Sequence, residues 1–348
     1  MTNTDSIRYV ILAFAILLFF IVPAIAEDTL FSQVLKDVRA GTYAGVKGMM
    51  ISVGDKTYTS HAASGSAERR QDIRSATKSI TAILVGELIE DGALKNERLK
   101  LSSILVDEFH EISIDDPKRK ISIKDLLTMR GGLACNDWVP ASVGHEDKMY
   151  KRADWVAFWL SQPVAYEPGK HFSYCTGGVV ALGRVIEKLS GKTVPAFAQE
   201  RLFGPLGITS AKWEETPTGY TDTGGHLRLT LEDFHKIGLL LRAGGVWQGE
   251  RLISKSWMKR MIDDHARVPE RPETYGYLWW RMSFPVGDTG ETVQVSYAHG
   301  NGGNFTFFVP DYSLVASFTA VNYGDRKQFI PMRILAREIL PEVAKNPD

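Results

Sequence analysis

The 348-residue chain lacks the features that mark several common classes of protein. It carries 41 Lys and Arg against 41 Asp and Glu, so it has no basic excess with which to bind nucleic acid. It contains neither Gly-x-Ser-x-Gly, the turn on which α/β-hydrolases present their serine, nor a phosphate-binding loop. None of its eight histidines has metal-ligand spacing. We therefore expect no nucleic-acid partner, no metal and no cofactor.

Cysteine is also scarce, with two residues, Cys135 and Cys175. An even count permits a disulfide in a protein that reaches an oxidising compartment. Sequence alone does not place two α-carbons within bridging distance of each other. A disulfide and a pair of buried thiols therefore both remain open at this point.

The first 26 residues differ from the rest of the chain. Arg8 precedes an uncharged apolar stretch over residues 10–22, and Ala24-Ile25-Ala26 then has the small-x-small form of a signal peptidase site. The stretch is shorter than the roughly 20 residues that a membrane-spanning helix needs. We predict a cleaved signal peptide over residues 1–26, a periplasmic or secreted protein, and one domain over residues 27–348. The alternative is an uncleaved N-terminal anchor that attaches the protein to a membrane.

Strand and helix patterns change along the predicted domain. Strand-forming residues dominate residues 46–60 and return over residues 292–297, 305–309 and 315–322, while helical spacing dominates between them. We predict an α+β fold in which both ends of the chain, about residues 27–70 and 266–348, build one antiparallel sheet flanked by terminal helices. A largely helical region, about residues 71–265, is inserted between them.

Ser75 and Lys78 lie at the start of a predicted helix over residues 75–91. Apolar residues recur there with the spacing of one helix face, and Gly92 follows as a stop signal. Residues three apart on a helix are neighbours, so the hydroxyl and the amine are held together in the positive field of the helix start. Ser-x-x-Lys alone is common, however, and does not by itself indicate a catalytic site.

Two later segments give the pair its significance. Tyr174 lies in a turn-rich loop just before a predicted helix. Residues 299–302, His-Gly-Asn-Gly, end one predicted strand and precede the next. Glycines in this segment let backbone N–H groups approach a ligand closely.

In this order the three segments resemble those of the serine β-lactamase and penicillin-binding superfamily. The similarity is to its class C-like branch, which includes family VIII esterases and 6-aminohexanoate-dimer hydrolases. Arg74-Ser75-Ala76-Thr77-Lys78-Ser79 matches the Ser-x-x-Lys element. Tyr174-Cys175-Thr176 matches the Tyr-x-Asn element, and His299-Gly300-Asn301 occupies the place of the Lys-Thr-Gly element. The resemblance covers roughly residues 30–340.

The resemblance implies a β-lactamase-like fold and a serine hydrolase that cleaves a small ester or amide through an acyl-enzyme. Ser75 would be the nucleophile, Lys78 a base if burial lowers its pKa, and Tyr174 the proton relay. A backbone oxyanion hole would form from Ser75 and residues 301–302. A disulfide would join two walls of the cleft. The substrate-binding positions implied are Thr176, His299, Gly300, Asn301 and Gly302.

Two departures from the family pattern refine the expected activity. Thr176 stands where the family has Asn, and His299 stands where it has a permanently charged Lys. Both disfavour an efficient β-lactamase and favour an esterase or amidase. The alternatives are a D-alanyl-D-alanine carboxypeptidase or weak β-lactamase, and an inactive member that binds cell-wall peptide or a partner protein.

Overall fold

The computed structural model describes residues 30–346, so the predicted signal segment lies outside the described residues. The strands are β1 Val46–Val53, β2 Lys56–His61, β3 Gln71–Asp72, β4 Arg228–Leu229, β5 Val246–Trp247, β6 Glu250–Arg251, β7 Ala266–Arg267, β8 Thr274–Tyr275, β9 Trp280–Pro285, β10 Thr292–Gly300, β11 Asn304–Val309 and β12 Leu314–Ala320. The α-helices are α1 Ser32–Ala40, α2 Thr77–Glu90, α3 Ile123–Leu127, α4 Glu146–Met149, α5 Trp155–Ser161, α6 Thr176–Ser190, α7 Val194–Ala198, α8 Leu231–Arg242, α9 Lys255–Ile262, α10 Ile330–Ile334 and α11 Leu340–Lys345.

The central feature is an eight-stranded antiparallel sheet with the order β2-β1-β12-β11-β10-β9-β8-β7. β1 pairs with β12, so strands from the two ends of the domain build one sheet, as predicted. Every residue of β12 is buried, as a strand covered on both faces requires. Helix α8 packs against β12 and β11, while α1 packs against β1 and β2. The predicted α+β architecture is therefore confirmed.

Helix α2, which follows Ser75, is a core helix rather than an amphipathic surface helix. The sequence predicted one apolar face, but every residue from Thr77 to Leu88 is buried. The helix packs against α6, α9 and β10, which cover several of its faces. Its polar residues are therefore buried too, among them Lys78, which is 1% exposed. A buried charged side chain needs a compensating partner, so Lys78 must be paired or hydrogen-bonded inside the protein.

The C-terminal helical segment runs almost as predicted, but it is not uniform. A 3₁₀ turn over Arg326–Phe329 precedes α10, and a π-helical turn over Leu335–Ile339 joins α10 to α11. Pro331 falls in the first turn of α10, where its missing N–H costs no intrahelical bond. No helix within residues 30–346 has both the length and the apolar character needed to cross a membrane.

Candidate active site

Ser75 lies in a tight 3₁₀ turn, Arg74–Ala76, immediately before α2. Arg74 adopts a φ of +51°, an uncommon left-handed conformation for a residue with a side chain. The Asp72 carboxylate accepts the Arg74 N–H at 2.9 Å and so supports this turn. The Ser75 side chain remains partly exposed at the point where β10 ends.

The end of β10 lies directly against the Ser75 turn. A Cβ atom added to Gly300 would stand 1.8 Å from the carbonyl oxygen of Ile73 and 3.2 Å from the backbone nitrogen of Ala76. Glycine is therefore the residue that this contact accommodates. The contact fixes the third sequence element relative to the first through the backbone alone.

The structure brings Ser75, Lys78 and Tyr174 together. Lys78 Nζ donates a hydrogen bond to Ser75 Oγ at 3.1 Å and another to the carbonyl oxygen of Gly224. The same Nζ lies 5.2 Å from the centre of the Tyr174 ring. The Tyr174 side chain lines the same cleft as Ser75. A hydroxyl, an amine and a phenol thus converge, as the sequence comparison implied.

The protonation of Lys78 differs from the sequence-based expectation. Burial lowers its pKa, but Tyr174 and the acidic side chains of Glu146, Asp137 and Asp222 act in the opposite direction and raise the pKa above its usual value. Lys78 is therefore an ammonium ion at neutral pH in the free protein. The condition set for Lys78 as a base, a pKa lowered by burial, is therefore not met in the free protein, because Tyr174 and carboxylates from distant segments outweigh burial.

Tyr174 also holds its proton in the free protein. Burial raises the pKa of its phenol, and this effect exceeds the lowering by Lys78 and by Ser75. A protonated phenol and an ammonium are both poor bases. The Lys78–Tyr174 pair gains a basic group only after it has lost one proton, and that form becomes more abundant as the pH rises.

Thr176 does not occupy the substrate-binding position that the sequence assigned to it. Its side chain is fully buried, and its hydroxyl donates to Glu146 Oε2 at 2.7 Å. Its backbone N–H donates to the Asp137 carboxylate at 2.6 Å. The carboxylates of Glu146 and Asp137 line the cleft instead. Burial and the nearby Glu146 side chain raise the pKa of Asp137 to about 6, so the Asp137 carboxyl is mainly ionised at neutral pH.

A cleft of about 330 Å³ opens beside Ser75 and Tyr174. His299 lines it, and its imidazole stacks on Phe305 with 4.3 Å between ring centres. Burial, together with the charge of Arg271, lowers the pKa of His299 to about 3. The imidazole is therefore neutral at pH 7, and this position offers no fixed positive charge.

Asn301 and Gly302, which follow β10, shape the cleft mainly through the path of their backbone. Asn301 lines the cleft, but its side-chain oxygen accepts the N–H of Gly324 at 2.9 Å. Gly302 has a φ of +95°, and an added Cβ would lie 2.7 Å from the Tyr323 ring. Both features fix the path of the chain where it leaves β10.

One wall of the cleft is aromatic. The Trp138 ring lies parallel to Tyr174, with ring centres 5.3 Å apart and an interplanar angle of 7°. Trp280 stacks on Tyr174 at 5.7 Å. Arg271, also on this wall, forms an ion pair with Glu273 at 2.6 Å. No sequence motif marks these residues, because they come from separate loops and short strands.

A disulfide joins Cys135 to Cys175, with their α-carbons 5.5 Å apart. It connects the loop that carries Trp138 to the residue that follows Tyr174. The backbone N–H of Asp137 also donates to the Tyr174 carbonyl at 2.8 Å. The disulfide alternative left open by the sequence is therefore the one present in the structure, and it braces the aromatic wall.

The fold defines the class of protein, which is the one built on the β-lactamase and penicillin-binding fold. The chain belongs to the Beta-lactamase family, whose model matches residues 31–337.

Individual relatives are hydrolases of different specificity. The chain is 32% identical to a lovastatin esterase from Penicillium rubens over 179 residues, which are 47% of this chain and 43% of that protein. It is 24% identical to a 6-aminohexanoate-dimer hydrolase from Paenarthrobacter ureafaciens over 234 residues, 61% of this chain and 57% of that protein. A solved penicillin-binding protein from Bacillus halodurans superposes with a TM-score of 0.68 at 19% identity, covering 86% of this chain and 98% of that one. At that identity the last likeness concerns the fold alone.

Proposed function

We propose that the protein is an exported serine hydrolase that cleaves a small ester or amide through an acyl-enzyme on Ser75. The observation that carries the proposal is the convergence of Ser75, Lys78 and Tyr174 at the edge of a cleft. A serine hydroxyl is a weak nucleophile until a neighbouring group removes its proton. The relatives that cleave an ester and a 6-aminohexanoate dimer support this class of substrate.

The first step transfers the Ser75 proton while its oxygen attacks the substrate carbonyl. Lys78 donates to Ser75 Oγ, so the hydroxyl proton of Ser75 points away from Lys78, and the Tyr174 phenol in the same cleft is the group that can receive it. The Lys78–Tyr174 pair accepts this proton in its singly deprotonated form. Tyr174 then returns the proton to the departing alkoxide or amine, and a water molecule later hydrolyses the acyl-enzyme.

Charge on the carbonyl oxygen would be stabilised by backbone N–H groups. We assign one to Ser75 and the other to the 301–302 segment, because Gly300 brings the end of β10 into contact with the Ser75 turn. Each such donor typically contributes about 3–4 kcal/mol to the stability of the transition state.

The cleft favours a small substrate with an apolar part. Its volume of about 330 Å³ is near the lower end of the range for small-molecule pockets. Trp138, Trp280 and Tyr297 supply aromatic surface for acyl or alcohol groups. The neutral His299 removes the fixed cation that would favour a β-lactam at that position.

Export is supported by the signal-like sequence of residues 1–26 and by the disulfide. Disulfides persist in oxidising compartments such as the periplasm and the extracellular space. Pulse-labelling in a bacterial host tests this part of the proposal. A shorter periplasmic form supports it, and a full-length cytoplasmic form contradicts it.

The catalytic proposal is tested by comparing short p-nitrophenyl esters with nitrocefin. We expect ester turnover without comparable nitrocefin turnover, and loss of ester turnover in Ser75→Ala. Ser79→Ala is the matched control, because Ser79 lies on the same helix but donates to the carbonyl oxygen of Leu278 at 2.6 Å. Efficient nitrocefin hydrolysis would establish the β-lactamase alternative. Absence of turnover, together with absence of labelling by a fluorophosphonate, would favour a binding protein.

A further inference from the structure

Arg271 is held rigidly on the wall of the cleft. It lies in the loop between β7 and β8, and the buried Glu273 carboxylate accepts from its Nε at 3.2 Å and from its Nη2 at 2.6 Å. Its guanidinium also lies 5.1 Å from the Trp138 ring centre and 5.6 Å from that of Trp280. A planar guanidinium fixed by a carboxylate and two aromatic faces is pre-organised for a further ligand.

Donors of Arg271 remain available to the cleft. A guanidinium has five N–H groups, and Glu273 takes two of them. Nη1 makes no hydrogen bond with any residue in the range 30–346. The side chain is 38% exposed and lines the cleft. The Nη1–Nη2 edge can therefore donate two hydrogen bonds to a carboxylate, in the two-point geometry that arginine favours.

The charge of Arg271 acts on His299, at the end of β10. It helps to lower the pKa of His299, where burial is the larger cause. Because His299 is neutral, Arg271 is the only positively charged side chain among the described residues that line this cleft. Lys78 is also charged, but it is buried and bound to Ser75 and Gly224.

We propose that Arg271 is an anion-binding residue and that the substrate of this cleft carries a carboxylate. Bound along the Nη1–Nη2 edge, the carboxylate orients the substrate across the aromatic wall with its ester or amide carbonyl at Ser75. The proposal deepens the hydrolase function and depends on it, since the site serves catalysis only if Ser75 acylates. Charge-assisted hydrogen bonds of this kind distinguish an anionic ligand from a neutral one by about tenfold or more.

The test measures binding in a Ser75→Ala background, so it does not depend on turnover. Ligand-observed NMR compares the binding of monomethyl adipate with that of dimethyl adipate. The first has a free carboxylate at the end where the second has another methyl ester. We expect the half-ester to bind at least about tenfold more tightly, in line with a charge-assisted contact. Adding Arg271→Met should abolish the preference, and adding Arg271→Lys, which keeps the charge, should retain part of it.

Arg267→Met is the matched control. Arg267 lies on β7, is exposed and does not line the cleft, so this change should leave the preference intact. Equal binding of the two esters, binding of neither, or a preference that survives Arg271→Met overturns the anion site. Loss of the preference in Arg267→Met overturns it too, because the effect would then be a general one of charge.

Failure of the hydrolase proposal has a different signature. In that case wild-type protein does not turn over mono-p-nitrophenyl adipate or p-nitrophenyl hexanoate, whatever the binding data show. If both esters are hydrolysed, kcat/KM for mono-p-nitrophenyl adipate should exceed kcat/KM for p-nitrophenyl hexanoate. The ratio of these two values should fall towards one in Arg271→Met.

Discussion

Replacing Gly300 by alanine should disable the site while leaving most of the fold intact. The new Cβ would stand 1.8 Å from the Ile73 carbonyl oxygen, whereas real Cβ atoms almost never approach another heavy atom within 3.0 Å. The atoms that the new Cβ meets all belong to the backbone of the Ser75 turn, so no side-chain rotation relieves the clash. The end of β10 must move away from the Ser75 turn by about 1 Å or more, and a misplacement of this size typically costs about 100-fold in rate.

The assay for Gly300→Ala is kcat/KM for a short p-nitrophenyl ester, measured alongside the melting temperature. Gly178→Ala is the control, because the added methyl meets only side-chain atoms, the nearest being Leu126 Cδ2 at 3.3 Å. We expect a loss of about 100-fold in Gly300→Ala and less than a few-fold in the control. A Gly300→Ala protein with wild-type kcat/KM would show that contact between β10 and the Ser75 turn does not set the geometry of the site.

Three further predictions concern charge and stability. Asp222→Asn keeps the acceptor for two backbone N–H groups but removes an anion that raises the pKa of Lys78, so the rise of kcat/KM with pH should move to lower pH; an unmoved profile contradicts the protonation scheme. Replacing Cys135 and Cys175 by alanine removes a 40-residue cross-link and should lower the free energy of unfolding by about 4 kcal/mol, measured by urea denaturation; an unchanged midpoint, or two free thiols in the unreduced wild type, argues against the bridge. Burial lowers the pKa of His235 from 6.5 to about 3, so the unfolded chain binds the extra proton between these values. This histidine should therefore make stability fall as the pH drops below 6.5, by up to about 1.4 kcal/mol per pH unit, and His235→Gln should reduce the slope by that amount; an equally steep slope in that variant refutes the assignment.

The sequence predicted the parts of the molecule that depend on local pattern and chain order. The segments that became β1, β2 and β10–β12 are rich in strand-forming residues, and their positions at the two ends of the domain implied the antiparallel sheet. Ser75, Lys78 and Tyr174 were found because their order along the chain matches a known family. By contrast, β7 and β8 have two residues each and are too short to show a period.

The sequence did not predict properties that arise from distant segments meeting in the fold. Thr176 was taken for a cleft residue, but tertiary packing buries it against Glu146. The pKa of Lys78 rises because carboxylates from separate loops surround it, and no local pattern reveals that environment. Arg271 and Trp138 meet on one wall of the cleft from loops more than 100 residues apart in the chain, so only the structure identifies their contact.

The central claim is that Ser75 carries the acyl group during turnover. The most direct measurement is mass spectrometry of wild-type protein that has been mixed with excess p-nitrophenyl ester, quenched in acid and digested. The account predicts an added acyl mass on the peptide that contains Ser75, located on that residue by fragmentation, and absent from Ser75→Ala. An acyl group on a different residue, or ester turnover that persists in Ser75→Ala, would contradict it.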